Sequence, residues 1–168
     1  MKRGLATLVA IASLIGAFPS ANAQSGSWRV NAGADAGPLA QVDLPWVEGR
    51  RRVALIAFEY ARRCDPIFSF GEFSGRKPGS PITQSRLGGS KIGVIVNGNF
   101  YTWHAAQTIY DNGYEAGFGV PNDLVQQLLS RVNTLAYVTP SGERVPLPTA
   151  NFSEAFREAA DICRKKVR

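Results

Sequence analysis

The sequence predicts a mainly β domain, either a β-sandwich or a partly closed antiparallel barrel, with two short helices, one of them C-terminal. Three observations predict this fold class. Turn signals such as Asn97-Gly98 separate short apolar runs in several places, and only two segments show helical periodicity. Strands and helices do not alternate regularly, which argues against a doubly wound parallel sheet. An α+β arrangement is the alternative.

The composition is that of one globular domain. The chain has 168 residues, of which 45% are apolar and 19% charged, so it can bury a core and is not disordered by composition. It contains one histidine and two cysteines. This count excludes the commoner zinc sites and clusters held by four cysteines, so the sequence predicts neither a metal nor a cofactor.

The first 23 residues have the organisation of a secretory signal peptide. Lys2 and Arg3 precede an apolar run over residues 5–18, and Ala21-Asn22-Ala23 places small residues where a signal peptidase cleaves. A membrane anchor is the alternative, but the run is shorter than the ~20 residues a spanning helix needs. We therefore predict removal of residues 1–23 and a single exported domain over residues 24–168, periplasmic or secreted, without a transmembrane segment.

The strands are predicted from apolar and β-branched runs bounded by turn residues. Residues 53–60 could also run helical through Ala54, Ala57 and Ala61. The rest of residues 24–50 is predicted as a loose connection, and residues 75–90, rich in glycine, as a long exposed loop. The predicted strands are residues 28–31, 53–60, 67–73, 92–96, 100–103, 109–110, 114–120, 137–138 and 145–147.

Two helices are predicted between and after these strands. Asn122 is placed to cap a helix over residues 123–132, and Asn151 to cap the last helix, with Glu154 three residues on as in a capping box. Apolar residues recur on one face of the last helix and predict that this face packs inward. These residues are Phe152, Phe156, Ala159 and Cys163.

Cys64 and Cys163 are the only cysteines and predict one disulfide. An even count in an exported chain is typical of a structural bond. Two buried thiols, or one reactive thiol beside His104, are the alternatives. No Cys-x-x-Cys spacing indicates a redox role. The bond would close a loop of about 100 residues and tie the last helix to an early strand.

Signals for catalysis are few. His104 is the single imidazole, and the sequence has neither a Gly-x-Ser-x-Gly elbow nor a phosphate-binding loop. A hydrolase would need His104 with a carboxylate, or two facing carboxyls, for which Glu59 with Glu72 and Asp111 with Glu115 are the candidates. A small secreted hydrolase is therefore the alternative to the preferred interpretation, a non-enzymatic binding or envelope-interaction protein.

Clusters of basic residues are the remaining surface feature. They predict contacts with an anionic envelope component or an acidic protein, while a solvated basic surface is the alternative. Nucleic acid is not predicted, since the chain is exported and has no binding motif. The C-terminal Arg/Lys run is a further basic cluster. The candidate contacts are Arg50, Arg51, Arg52, Arg62, Arg63, Arg76, Lys77 and Arg86.

The order of segments in the second half resembles a known family. A strand enters an Asn-Gly turn over residues 94–103, a short helix begins at Asn122, a hairpin spans residues 135–147, and a helix spans residues 151–163. This order is similar to that of the invasion-associated locus B family of small exported proteins of Gram-negative bacteria. The resemblance implies a compact β-sandwich outside the cytoplasm and no catalytic residues. The Arg-rich strand start and the long Gly/Pro loop depart from it.

Overall fold

The computed structural model describes residues 26–33, 35–87 and 92–168; the predicted signal peptide lies outside these ranges. The described chain is mainly β, with two antiparallel sheets that do not close into a barrel and two helices, one C-terminal. This confirms the predicted fold class. In chain order the strands are β1 (Arg29–Asn31), β2 (Leu39–Val47), β3 (Arg50–Phe58), β4 (Pro66–Phe73), β5 (Pro81–Arg86), β6 (Gly93–Val96), β7 (Asn99–Tyr101), β8 (Ala106–Tyr110), β9 (Gly113–Gly119), β10 (Leu135–Val138) and β11 (Arg144–Leu147).

Seven strands form the larger sheet, in the spatial order β1-β2-β3-β4-β9-β8-β5, and four form the smaller one, in the order β11-β10-β6-β7. All pairs are antiparallel. The two-residue turn between β6 and β7 was predicted from Asn97-Gly98, and both residues have positive φ, 49° and 87°. Such φ values match the type I′ turn that joins strands with right-handed twist.

Two strands contradict the sequence prediction. The supposed loose connection contains β2, whose first six residues are buried except Asp43. Because both faces of β2 are covered, its residues do not alternate between apolar and polar. The supposed loop over residues 75–90 contains β5, an edge strand that pairs with β8 and is exposed throughout. A strand buried on neither face carries no apolar pattern, so periodicity does not reveal it.

The helices are α1 (Asn122–Leu129) and α2 (Phe152–Lys166). The predicted cap of α1 is wrong, because Pro121 occupies the N-cap position. Asn151 occupies the N-cap position of α2, as predicted, but makes no side-chain cap bond. Asn151 has a left-handed backbone, φ 57°, and its amide donates to the hydroxyl of Ser27 instead. The predicted buried face of α2 is confirmed, since Phe152, Phe156, Ala159 and Cys163 are all buried.

The main core lies between one face of the larger sheet, the smaller sheet and both helices. Tyr137 of β10 stacks on Phe70 of β4, with ring centroids 5.2 Å apart. Its hydroxyl donates to the carbonyl of Ala116 in β9 at 2.6 Å, which joins the two sheets by a buried hydrogen bond. Trp28 packs edge-on against Phe152 at 4.9 Å and so holds β1 to α2.

A second, smaller cluster is buried on the opposite face of the larger sheet. The register places Val53 beside Gly71, and Gly71 beside Glu115, in one row across β3, β4 and β9. The face therefore carries one buried carboxyl among apolar residues. The apolar members of the cluster are Leu39, Val53, Leu55, Ala57, Phe73 and Tyr110.

The predicted disulfide is present between Cys64 and Cys163, whose Cα atoms lie 5.8 Å apart across a sequence separation of 99. Cys64 was predicted to lie in an early strand. It lies instead in the turn after the 3₁₀ helix Tyr60–Arg62, between β3 and β4. Cys163 lies near the end of α2. No helix in the described ranges combines the length and apolar character needed to span a bilayer.

Candidate functional site

The disulfide brings together two basic runs that are far apart in sequence. Arg62 and Arg63 directly precede Cys64, while Arg164, Lys165 and Lys166 directly follow Cys163. Because the two cysteine Cα atoms are only 5.8 Å apart, the residues that flank them lie close together. We name Arg62, Arg63, Arg164, Lys165 and Lys166 the disulfide-centred basic patch.

The backbone of the patch is ordered on both sides of the bond. Arg63 ends the 3₁₀ helix with a left-handed backbone, φ 55°, and donates its N–H to the carbonyl of Tyr60. The N–H of Cys64 donates to the carbonyl of Glu59 at 3.0 Å. From the helix side, the Lys166 ammonium lies 4.6 Å from the centre of the Tyr60 ring. This cation–π contact is a second link between α2 and the turn.

The patch carries an excess of positive charge. Asp65 and Asp161 are the neighbouring exposed acids, and Asp161 pairs with Arg164 at 3.1 Å. Glu59 lies just below the surface; burial raises the pKa of its carboxyl, and the nearby Arg62 lowers it. Even with Glu59, Asp65 and Asp161 all ionised, the five cations outnumber the three acids. The patch therefore remains a net cationic surface.

The predicted contacts at Arg50, Arg51 and Arg52 form ion pairs with carboxylates of the same chain. Arg51 pairs with Asp43, and its guanidinium also donates to the carbonyl of Arg76 at 2.7 Å. Arg52 binds Glu72 of its own sheet at 2.8 Å and Glu143 of the β10–β11 turn at 3.0 Å. This cluster joins the two sheets and neutralises its own charge, so it is a weak candidate for an anionic partner.

The predicted contacts also do not form one surface. Arg50 begins β3, whereas Arg62 and Arg63 follow its end, and nine residues of strand place them about 25–30 Å apart. The Arg51 bond to the Arg76 carbonyl puts Arg76 and Lys77 at the first end. Arg86 ends β5, which puts it at the same end of the sheet as Arg62 and Arg63.

The segment over residues 74–80 is held in place, although most of it belongs to the stretch predicted as a long exposed loop. The side chain of Asn112 accepts from the Gly79 N–H at 2.7 Å and donates to the Lys77 carbonyl at 2.8 Å. Its backbone carbonyl accepts from the Ser74 N–H at 2.8 Å. One residue of the β8–β9 turn therefore clamps the segment at three points.

The carboxyl pairs considered for catalysis are not brought together. Glu59 follows the end of β3, while Glu72 pairs with Arg52 near its start, so about 20 Å of strand separates them. Asp111 is exposed in the β8–β9 turn, where it accepts from the Ser80 N–H, and Glu115 is buried in β9. Glycosidases hold their two carboxyls roughly 5–9.5 Å apart across a cleft.

His104 lies on the surface between β7 and β8. Its ring meets that of Trp103 edge to face, with centroids 4.8 Å apart, and its backbone is left-handed, φ 45°. The ring is exposed beside another exposed ring. This is the position of an ordinary surface histidine.

Glu115 is the most strongly perturbed carboxyl of the described residues. Burial raises its pKa to about 8, and the hydroxyls of Ser69 and Tyr110 beside it partly offset the rise. One carboxyl oxygen and both hydroxyl oxygens nevertheless make no hydrogen bond of ordinary geometry. Glu115 is only 4% exposed, so it cannot reach a substrate in this state.

An open cleft of about 490 Å³ lies between the end of α1 and the start of α2. Arg131, Glu154 and Arg157 line it, and Arg157 is tied to the Leu129 carbonyl at 2.8 Å. The cleft thus has mixed charge and no buried base or nucleophile. In the ranges that the structure describes, no three His, Cys, Asp or Glu side chains are grouped to hold a metal ion.

No protein-family model matches the chain, and neither a curated protein nor a solved structure matches it. The resemblance to the invasion-associated locus B family therefore stays a prediction. Arg164, Lys165 and Lys166 belong to the C-terminal basic run, which was recognised as a cluster but not placed among the candidate contacts. The signal was available, because a basic run adjoins each cysteine of a predicted disulfide.

Proposed function

We propose that this protein is an exported, non-enzymatic binding protein that holds an anionic envelope component on the disulfide-centred basic patch. One observation carries the proposal: the Cys64–Cys163 bond brings two basic segments that are distant in sequence, with five basic residues, close together in the fold. The disulfide is also compatible with an oxidising compartment outside the cytoplasm.

The patch is better suited to an anionic partner than the other basic residues. Arg51 and Arg52 are committed to Asp43, Glu72 and Glu143, so binding a partner there would break existing pairs. In the patch, Arg164 forms the one ion pair within 4 Å in the described chain, with the exposed Asp161, and Lys166 contacts the Tyr60 ring. Exposed cations that are fixed in position attract anions without first losing an internal ion pair.

A hydrolase is not proposed, because no observation favours one. The two candidate carboxyl pairs are separated, by strand length in one case and by burial in the other. His104 contacts Trp103 rather than an acid. Binding therefore accounts for the described surface with fewer assumptions than catalysis.

The proposal is tested with a polyanion probe and two variants of equal charge. The test variant replaces Arg62, Arg63 and Lys165 with serine. The control replaces Arg76, Lys77 and Arg144 with serine and removes the same charge away from the patch, near the start of β3. Affinity for dextran sulfate is measured by calorimetry over a range of salt concentrations, and circular dichroism verifies each fold.

We expect the test variant to lose at least tenfold in affinity and to show a flatter salt dependence, because fewer counterion-releasing contacts remain. The control should bind nearly as the parent protein does. Equal losses in both variants would show that only net charge matters and would overturn the proposal. A loss in the control alone would place binding on the other cations instead.

A further inference from the structure

Trp103 is an exposed aromatic side chain at the same end of the larger sheet as the patch. Its indole is 54% exposed and lies beside Gly119, where a Cβ would be 3.6 Å from the ring. Gly119 ends β9 and pairs with Ile67 at the start of β4. The patch begins in the turn that leads directly into β4.

The sheet order gives the distance between the two features. The end of β3, which carries the turn with Arg62 and Arg63, is two strands from the end of β9 beside Trp103. At a strand spacing of about 4.8 Å, this corresponds to roughly 10 Å. Arg86 ends β5 at the same end of the sheet. Cations therefore lie on both sides of an exposed indole.

An exposed apolar side chain adjoins the patch. Val167 is 44% exposed and directly follows Lys166 at the end of α2. None of the five patch residues lines the cleft between α1 and α2. Small ligands bind mainly in concave pockets, so charges outside the cleft are better suited to an extended partner.

We propose that the partner of the patch is the headgroup region of an anionic phospholipid bilayer, with Trp103 as the interfacial anchor. This inference rests on the proposed function and names its partner. Lys and Arg near a membrane surface are attracted by anionic headgroups, by about 1 kcal/mol each. Tryptophan is favoured at the boundary between headgroups and acyl chains.

Trp46 provides a matched control within the same chain. It is 55% exposed, about as much as Trp103. It lies near the end of β2, next to the start of β3 and far from the patch. The third tryptophan, Trp28, is buried. In a Trp46→Phe variant, contact of tryptophan with lipid would therefore report on Trp103, and in a Trp103→Phe variant on Trp46.

The experiment uses residues 24–168, which contain every strand and helix described, so that the apolar run of residues 5–18 cannot itself insert. Cooperative unfolding by circular dichroism verifies the fold. Binding is measured by sedimentation with vesicles of equimolar phosphatidylglycerol and phosphatidylcholine, and with vesicles of phosphatidylcholine alone. Brominated acyl chains quench the fluorescence of any tryptophan that reaches them.

We expect binding to the anionic vesicles only, with a loss on the order of tenfold for Trp103→Ser and none for Trp46→Ser. Lipid should quench Trp103 in the Trp46→Phe variant and leave Trp46 unquenched in the Trp103→Phe variant. This readout needs no change at Trp103 itself, so it stands even if Trp103→Ser misfolds.

Dextran sulfate binding that depends on the patch, without binding to anionic vesicles, would overturn the membrane inference and leave the proposed function intact. If vesicle binding depends on the patch but lipid does not quench Trp103, the role of Trp103 as an anchor is overturned and the proposed function is kept. Loss of patch dependence for both dextran sulfate and vesicles would overturn the proposed function as well. A sulfated glycan bound at Trp103 with higher affinity than the vesicles would favour a glycan partner and contradict the inference.

Discussion

The Glu115 carboxyl links the fold to pH at the scale of a single residue. Burial in β9 raises its pKa to about 8 in the folded chain, from an ordinary value of 4.5. A raised folded-state pKa means that the folded state holds the proton more tightly than the unfolded state does. Its contribution to stability is therefore complete below pH about 4.5 and is lost as the pH rises through about 8.

We predict that Glu115→Gln removes this loss, because glutamine has a similar shape and does not ionise. Urea unfolding at several pH values should show the parent losing up to about 1 kcal/mol for each pH unit in this window relative to the variant. Glu59 also has a raised pKa, so the difference between the two proteins isolates Glu115. Parallel stability curves for both proteins from pH 5 to 8 would contradict the prediction.

The hydroxyl of Tyr137 donates a buried hydrogen bond to the carbonyl of Ala116 in the facing sheet. Tyr137→Phe keeps the ring stacked on Phe70 but removes this donor. We predict a loss of about 1–2 kcal/mol in the free energy of unfolding, because the carbonyl stays buried without that donor. Tyr101→Phe, at a half-buried residue of β7, should change stability by less than about 0.5 kcal/mol. Equal effects of the two changes would show that the sheet-to-sheet bond contributes little.

The residue-level signals differ in how well the sequence predicts them. The Cys64–Cys163 pairing follows from an even count of two, so no alternative pairing exists. The cap at Asn151 fails because its backbone is left-handed, whereas a capping residue is extended and accepts through its side-chain oxygen. A local motif predicts structure well only where the backbone adopts the conformation that the motif requires.

At the scale of elements, the sequence predicts strands that have two different faces or a strong turn at one end. The β6–β7 hairpin follows from Asn97-Gly98, whereas β2, buried on both faces, and β5, exposed on both, have no alternation to detect. The segment before β5 is held by side-chain contacts with Asn112, which local composition cannot show. Glycine and proline content therefore predicted a loop that was longer and freer than the one present.

We predict that Asn112→Ala frees the segment over residues 74–80. The alanine variant loses the bonds to the Gly79 N–H and the Lys77 carbonyl, so the segment should open more often. Limited trypsinolysis should then cleave after Arg76 several-fold faster than in the parent, and mass spectrometry identifies the cut.

Asn97→Gly is the reciprocal control for this experiment. Asn97 clamps residues 131–134 in the same way, through bonds to the Arg131 carbonyl and the Asn133 N–H, and glycine tolerates its φ of 49°. This variant should be cleaved faster after Arg131 and not after Arg76. If both variants are cut at the same sites, the cleavage reflects global unfolding, and the prediction of a local clamp is wrong.

For the whole molecule, the candidate site depends on a contact between distant parts of the chain. The two basic runs lie about 100 residues apart, and each alone has the composition of an ordinary solvated surface. Only the pairing of the cysteines shows that the runs adjoin, and only the ion pairs of Arg51 and Arg52 show which other cations are engaged. The sequence therefore predicts the basic clusters but not which of them adjoin in the fold.

The same bond controls the stability of the whole fold. It closes a loop with a sequence separation of 99, so its loss should lower the free energy of unfolding by about 4–5 kcal/mol in the chain-entropy model. We predict this loss for the Cys64→Ala, Cys163→Ala double variant, measured by urea unfolding without reductant. The parent protein unfolded in reductant should show a similar loss.

Because α2 then no longer has a covalent link to the turn that carries Arg62 and Arg63, we also expect affinity for dextran sulfate to fall while the variant remains folded. A stability loss below about 1 kcal/mol, or unchanged affinity, would mean that packing of α2 and the Lys166–Tyr60 contact hold the patch together without the disulfide.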